Sequence, residues 1–148
     1  EVPMKLNKLD PKIIELLRQN GAITNVELGK KLKVSEATIR YRVKKLLDRN
    51  IIKIKGLLNP KMQDEKQLFY LCLTIAPRRE LENTVHALLE YDEVINVALI
   101  TGRYDVIAEV FIDPHKLIDF QRDLDFNENV NISTIESFST LKSFNKWI

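Results

Sequence analysis

Cysteine is almost absent from these 148 residues: Cys72 stands alone, so the chain can close no internal disulfide and can build no multi-cysteine metal site. Histidine is nearly as scarce. His86 and His115 are the only two; they lie in different predicted helices, with no Cys, His or Asp cluster at metal-ligand spacing. No phosphate-cradling glycine loop and no nucleophile–base pair can be drawn, so no catalytic residue and no metal ligand is assigned. There are only four glycines, which leaves few sharply strained turns. No apolar run approaches the roughly 18 residues that span a bilayer. The opening EVPMKLNKLD lacks the apolar core of an export signal. The expectation is a cytoplasmic protein that does not meet a membrane, with enough hydrophobic residues (45%) for one core or two small ones.

Charge of one sign is also in short supply in each part of the chain. Residues 1–60 carry 14 Lys and Arg against 6 Asp and Glu, whereas residues 61–148 carry 9 against 15. A basic front part joined to an acidic rear part points to a polyanion partner for the first and a different task for the second.

The front part is organised around Val34 to Asn50, VSEATIRYRVKKLLDRN. Ser35 is placed to cap a helix, and Ile39, Val43, Leu46 and Leu47 follow at helical spacing as one apolar stripe. Ala37, Tyr41, Lys44 and Lys45 fall on the opposite side, with Thr38 and Arg40 on the flanks. Small residues near the start of the outer face and cations further along suit a helix entering a major groove. An ordinary core helix with a solvated charged face has the same pattern, so the flanking segments decide. Leu9 to Gln19 reads as a helix capped by Asp10, with Pro11 at its start and Ile13, Leu16 and Leu17 inward. Thr24 or Asn25 caps a second helix running to about Leu32, with Glu27 completing a capping box and Val26, Leu28 and Leu32 as apolar contacts. Gly29 inside it implies close approach of the next helix. Two short helices joined by a short turn, the second basic, make a helix-turn-helix.

Ile51 to Leu58 alternates apolar with basic residues and is expected to form a short strand or hairpin arm. Lys53 and Lys55 are placed to touch phosphate or merely to keep an edge soluble. Beyond the polar stretch from Met62 to Lys66, Gln67–Ile75 reads as a buried strand, Arg79–Tyr91 as a helix with Leu81, Val85, Leu88 and Leu89 inward, and Val94–Thr101 as a strand. Gly102-Arg103 turns into a third strand, Tyr104–Ile112. Asp113-Pro114 opens a helix with Leu117, Ile118, Phe120 and Leu124 inward, and Val130 to about Phe144 supplies the last strand. The order β-α-β-β-α-β is the ferredoxin-like unit, an antiparallel sheet with both helices on one face. Its strands are apolar on both alternations, so a second subunit is the natural cover for the other face. The fold class is α+β, with 1–50 as a helix-turn-helix (winged) domain, 51–66 as arm and linker, and 67–148 as the ferredoxin-like domain.

A helix-turn-helix bearing SEATIRYRVKKLLDRNII, followed by an apolar arm and βαββαβ with GRYD between the middle strands, resembles the Lrp/AsnC (feast/famine) transcriptional regulators from about Leu6 to Phe144. The resemblance implies a C-terminal domain of the RAM/ACT-like kind, a homodimer made by pairing those sheets, and frequent assembly into octamers. It also implies selective binding of double-stranded DNA and, in many members, an amino acid held between C-terminal domains. No other cofactor is expected. The DNA-binding residues carried over or read from position are Ser35, Glu36, Thr38 and Tyr41 for bases, and Arg40, Arg42, Lys44, Lys45, Lys53 and Lys55 for phosphates. The effector loop corresponds to Thr101, Gly102, Arg103, Tyr104 and Asp105, joined from the last strand by Thr134, Glu136 and Ser137. Lys33 and Asn50 stand where the family often has glycine. Two other functions fit parts of the pattern: an architectural protein that wraps DNA with weak sequence choice, and an enzyme like the tetrapyrrole decarboxylases that share the fold.

Overall fold

Helix α1 spans Asp10–Gln19 in the computed structural model, which describes residues 6–144 and 146–148. The reading of the first five residues as free of an export signal lies outside that range. Asp10 does not cap α1. Leu9 holds the cap position without a side-chain bond, and Asp10 sits inside the first turn, fully buried. Its Oδ2 accepts the Asn7 N–H at 2.7 Å, while Asn7 Oδ1 accepts the Leu9 N–H at 3.1 Å. The polar work of the helix start is thus done one turn earlier, because Asp10 faces inward.

Helix α2, Asn25–Leu32, has the expected capping box: Thr24 Oγ1 accepts the Glu27 N–H at 3.2 Å, and Glu27 Oε2 accepts the Thr24 N–H at 2.8 Å. That backbone bond, then the Thr24 hydroxyl, holds the Glu27 carboxyl below the ordinary 4.5. Val26, expected inward, is exposed, because the α2 stripe runs instead through Leu28 and the half-buried Leu32. Lys33 closes the helix in the left-handed conformation at φ 57°. Helix α3 follows as Glu36–Asp48, with Ser35 Oγ accepting the Thr38 N–H at 3.2 Å. A Cβ on Gly29 would lie 2.8 Å from the Val34 carbonyl oxygen, so the turn into α3 rests against bare backbone. Ile13, Leu28, Ile39 and Leu46 are the sealed centre of this unit, while Leu47 is partly exposed at its margin.

The segment Ile51–Leu58 forms no strand among the described residues. A strand needs a hydrogen-bonded neighbour, and within one chain only Leu58 has one, exchanging both backbone bonds with Ile148 at 2.6 and 3.0 Å. Ile51, Ile54 and Leu57 remain exposed. The chain divides into two units at Gly56/Leu57.

In the second unit, β1 (Gln67–Ile75), α4 (Leu81–Leu89), β2 (Val94–Leu99), β3 (Val106–Ile112), α5 (Leu117–Phe126) and β4 (Ile132–Ser139) follow the expected βαββαβ order. The sheet runs β2-β3-β1-β4, every neighbouring pair antiparallel. Phe69, Leu71 and Leu73 of β1 and Val106, Ala108 and Val110 of β3 pack with Leu88 of α4 and Phe120 and Leu124 of α5. Tyr91 meets Phe120 edge-on at 5.4 Å. Two residues expected inward point out: Leu89 is half exposed and Ile118 is 70% exposed, since Leu88 and Phe120 take the seats over the sheet. The opposite face carries Leu68, Tyr70, Cys72 and Thr74 from β1. Burial, and then the Glu136 carboxylate across the ladder, push the Cys72 thiol above its ordinary 9.0.

Candidate nucleic-acid interface

Ser35, Ala37, Thr38 and Tyr41 are all exposed along the outward side of α3, while Ile39 and Leu46 are sealed beneath it. The Ser35 and Thr38 hydroxyls lie 2.8 Å apart, so capping also fixes the geometry of two hydroxyls at the leading end. Such groups donate and accept in turn, which fits them to base edges of either kind. Tyr41, 60% exposed, projects further along, flanked by Lys45 at 5.7 Å and Arg42 at 5.9 Å from its ring centre.

The six expected phosphate contacts are not equivalent. Lys53 and Lys55 are exposed beyond α3, in the extended tail of the first unit. Lys44 is exposed and pairs at 2.7 Å with Asp48 one turn on, and Arg40 pairs with Glu36. Both are surface pairs between flexible side chains, easily exchanged for a phosphate. Lys45 is half-buried, with its ammonium beside the Tyr41 ring. Arg42 differs. Its side chain is only 20% exposed, and its guanidinium lies 3.7 Å from the buried Asp10 carboxylate. That contact ties α3 to α1, so Arg42 stands as a brace on the inner side of the helix.

The residues carried over for an effector are split by the sheet. Thr101, Gly102 and Arg103 are exposed at the β2–β3 turn, Gly102 at φ 127°. The Arg103 guanidinium stacks 5.4 Å from the Tyr104 ring centre. Asp105 is turned inward, where its Oδ2 accepts the Ile75 N–H at 3.0 Å and its own N–H is donated to Leu73 at 2.9 Å. One carboxylate oxygen is therefore committed to the end of β1. Thr134 and Glu136 lie across from Thr74 and Cys72, on the sheet face away from the helices. Ser137 lies across from Leu71, on the helix face, and bonds the Gln121 amide. Alternation along β4 thus separates Ser137 from the other two. β1 stands between β4 and the strand that follows the loop.

The model for winged helix-turn-helix DNA-binding domains matches residues 6–53. An HTH-type transcriptional regulator of Methanocaldococcus jannaschii is 35% identical over 103 residues, covering 69% of each chain. The leucine-responsive regulatory protein of Haemophilus influenzae is 30% identical over 69% of this chain and 63% of its own. The chain belongs to the Lrp/AsnC family of transcriptional regulators. Among solved structures, a Neisseria meningitidis transcriptional regulator in complex with L-Met aligns with a TM-score of 0.77 and 25% identity, covering 96% of this chain and 94% of that one.

As an Lrp/AsnC regulator, the protein is a DNA-binding, helix-turn-helix factor, and α3 is the second helix of that motif. No helix among the described residues is long and apolar enough to cross a membrane. Lys30, Lys33, Ser35 and Glu36 line a concavity of about 370 Å³ beside Gly29 at the leading end of α3. Lys33 is exposed there, so a cation stands beside the helix start where a phosphate gains from the free N–H groups.

Proposed function

We propose that this regulator binds double-stranded DNA selectively as a homodimer joined through its C-terminal sheets, and that an amino acid near the β2–β3 turn biases that binding. The observation that carries the reading is the outward face of α3. There Ser35, Glu36, Thr38 and Tyr41 are exposed with chemistry suited to base edges, and Arg40, Lys44 and Lys45 flank them. The dimer is supported by the exposed Phe138 and the half-buried Tyr70 and Ile107 beside it on the sheet face away from α4 and α5. Octamers would build on the same dimer. The effector is supported by the exposed Gly102 and Arg103, whose N–H and guanidinium suit a carboxylate, and by the L-Met complex of the Neisseria relative. Such a ligand changes DNA occupancy only by its unequal affinity for two assemblies.

Footprinting on genomic fragments tests the first part. Discrete protections with half-sites about 10 bp apart, or a multiple, are expected; even coverage without preferred sites would replace the reading with that of an architectural DNA-wrapping protein. Thermal-shift screening with the twenty amino acids, run beside sizing chromatography, tests the rest. At least one amino acid, L-Met first, should raise the transition. A solitary chain at micromolar concentration, or no shift with any amino acid, removes the dimer or the effector respectively.

A further inference from the structure

The second unit is acidic, yet four of the nine Lys and Arg between residues 61 and 148 rim one cavity of about 410 Å³. Lys61 and Lys66 stand on one side, and Lys142 and Lys146 come from the C-terminal tail. Phe111 and Trp147 give the cavity flat apolar walls. The tail is held in place as a wall: Thr140 donates its N–H to Leu68 at 3.0 Å, its carbonyl accepts the Gln67 amide at 2.8 Å, and Ile148 is bonded to Leu58 through both backbone groups.

Two features of this cavity ask for a ligand. Lys146 is paired with Glu109, but no carboxylate among the described residues lies within 4.0 Å of Lys61, Lys66 or Lys142. Lys66 and Lys142 instead lie over the rings of Phe111 and Phe144, at 5.9 and 5.1 Å. Like charges gathered without a counter-ion repel, and an anion among them relieves that cost. The volume also falls in the range of roughly 300–1,000 Å³ usual for small-molecule sites.

We propose that this cavity binds a small organic anion in which a carboxylate or phosphate is joined to a flat ring. The ring lies against Phe111 and Trp147, and the anionic group sits among Lys61, Lys66 and Lys142. An α-amino acid fits poorly, because its ammonium would face lysines and the nearby Glu109 carboxylate is already taken by Lys146. The site and its ligand class are thus distinct from the effector proposed at the β2–β3 turn.

Trp147 is the only tryptophan in the chain, so its emission reports on this cavity without any label. The full chain is titrated with phenylpyruvate and with AMP, which separate a carboxylate source from a phosphate source, and with phenylalanine, adenosine and inorganic phosphate as controls. Equilibrium dialysis measures binding independently of emission. Saturable binding of at least one ring anion is expected, with a change in Trp147 emission, and the controls should be at least about tenfold weaker. Replacing both free lysines (Lys66→Gln with Lys142→Gln) should cost about tenfold or more in that affinity while leaving the far-UV spectrum unchanged. The proposal is overturned if neither ring anion binds at millimolar concentration, if phosphate alone or adenosine binds as tightly, or if the paired variant binds undiminished. Loss of DNA affinity in the paired variant, with anion binding intact, would instead assign these lysines to DNA and equally overturn it.

Discussion

The two units of this regulator solve the problem of a stable interior at very different scale. The first seals four apolar side chains, Ile13, Leu28, Ile39 and Leu46, whereas the second gathers thirteen buried residues between a four-stranded sheet and two helices. The small core leaves a large rim, and that rim carries the cations. A unit whose task is to present charge to a polyanion can remain small, but each of its buried contacts then bears more of the load. The Asp10–Arg42 contact belongs to this setting: with few apolar residues to set the angle between α1 and α3, a buried carboxylate and a braced guanidinium add a directional restraint.

The contrast can be broken most severely at the cores. Ile39→Ala and Leu71→Ala should each cost about 3 kcal/mol. At about 0.1 kcal/mol per residue, the first unit, Glu1–Gly56, has roughly 5 kcal/mol in total. Ile39→Ala should therefore give a calorimetric trace in which the first unit melts early and the second is unmoved, and Leu71→Ala the reverse. A single merged transition in both variants would show that the units do not melt separately. Next in size, Asp10→Ala strips the Asn7 N–H of its acceptor and Arg42 of its counter-ion, for about 2 kcal/mol in urea denaturation. Arg42→Gln should likewise lower stability yet leave the salt dependence of DNA binding unchanged, whereas Lys44→Ala with Lys45→Ala should flatten that slope by about two phosphate contacts. A flatter slope for Arg42→Gln would return Arg42 to the phosphate-binding set. Smaller again, Ser35→Ala should cost about 1 kcal/mol by removing the α3 cap.

The smallest effect concerns Cys72, whose thiol is raised above 9.0 by burial and by Glu136. The unfolded chain ionises first, so the contribution of this thiol to stability is complete below pH 9.0 and is lost as the pH climbs through the raised folded value. Native protein should accordingly react slowly with iodoacetamide at pH 8, and unfolded protein quickly. Equal rates would mean that the sheet face is open around it.

Helix and strand identity was legible in the sequence wherever the signal is local. The Thr24–Glu27 capping box, Ser35 as the cap of α3, the β1 boundaries Gln67–Ile75 and the close approach at Gly29 all depend on residues a few positions apart, and all stand as read. What escaped depends on distant partners. Asp10 has the chemistry of a cap, but the guanidinium that draws it inward lies thirty-two positions later. Ile51–Leu58 has the alternation of a strand, but pairing requires a neighbour that the chain places beside Leu58 alone. The family resemblance groups Ser137 with Thr134 and Glu136, yet one step of alternation puts it on the other side of the sheet, and the register shift between Thr74 and Ile75 belongs to the ladder, not to any residue type. Leu89 and Ile118 were misplaced for a related reason: each has an apolar neighbour one or two positions away that takes the seat over the sheet.

The hydrogen at Gly29 in place of a side chain has one more implication. The distance a helix-turn-helix offers to the double helix is measured from the back of its first element to the tip of its second, and here that distance is pinned by an atom that is not there. Any side chain there would press on the Val34 carbonyl and wedge the two apart, so the position acts as a gauge for how closely α3 can seat on α2.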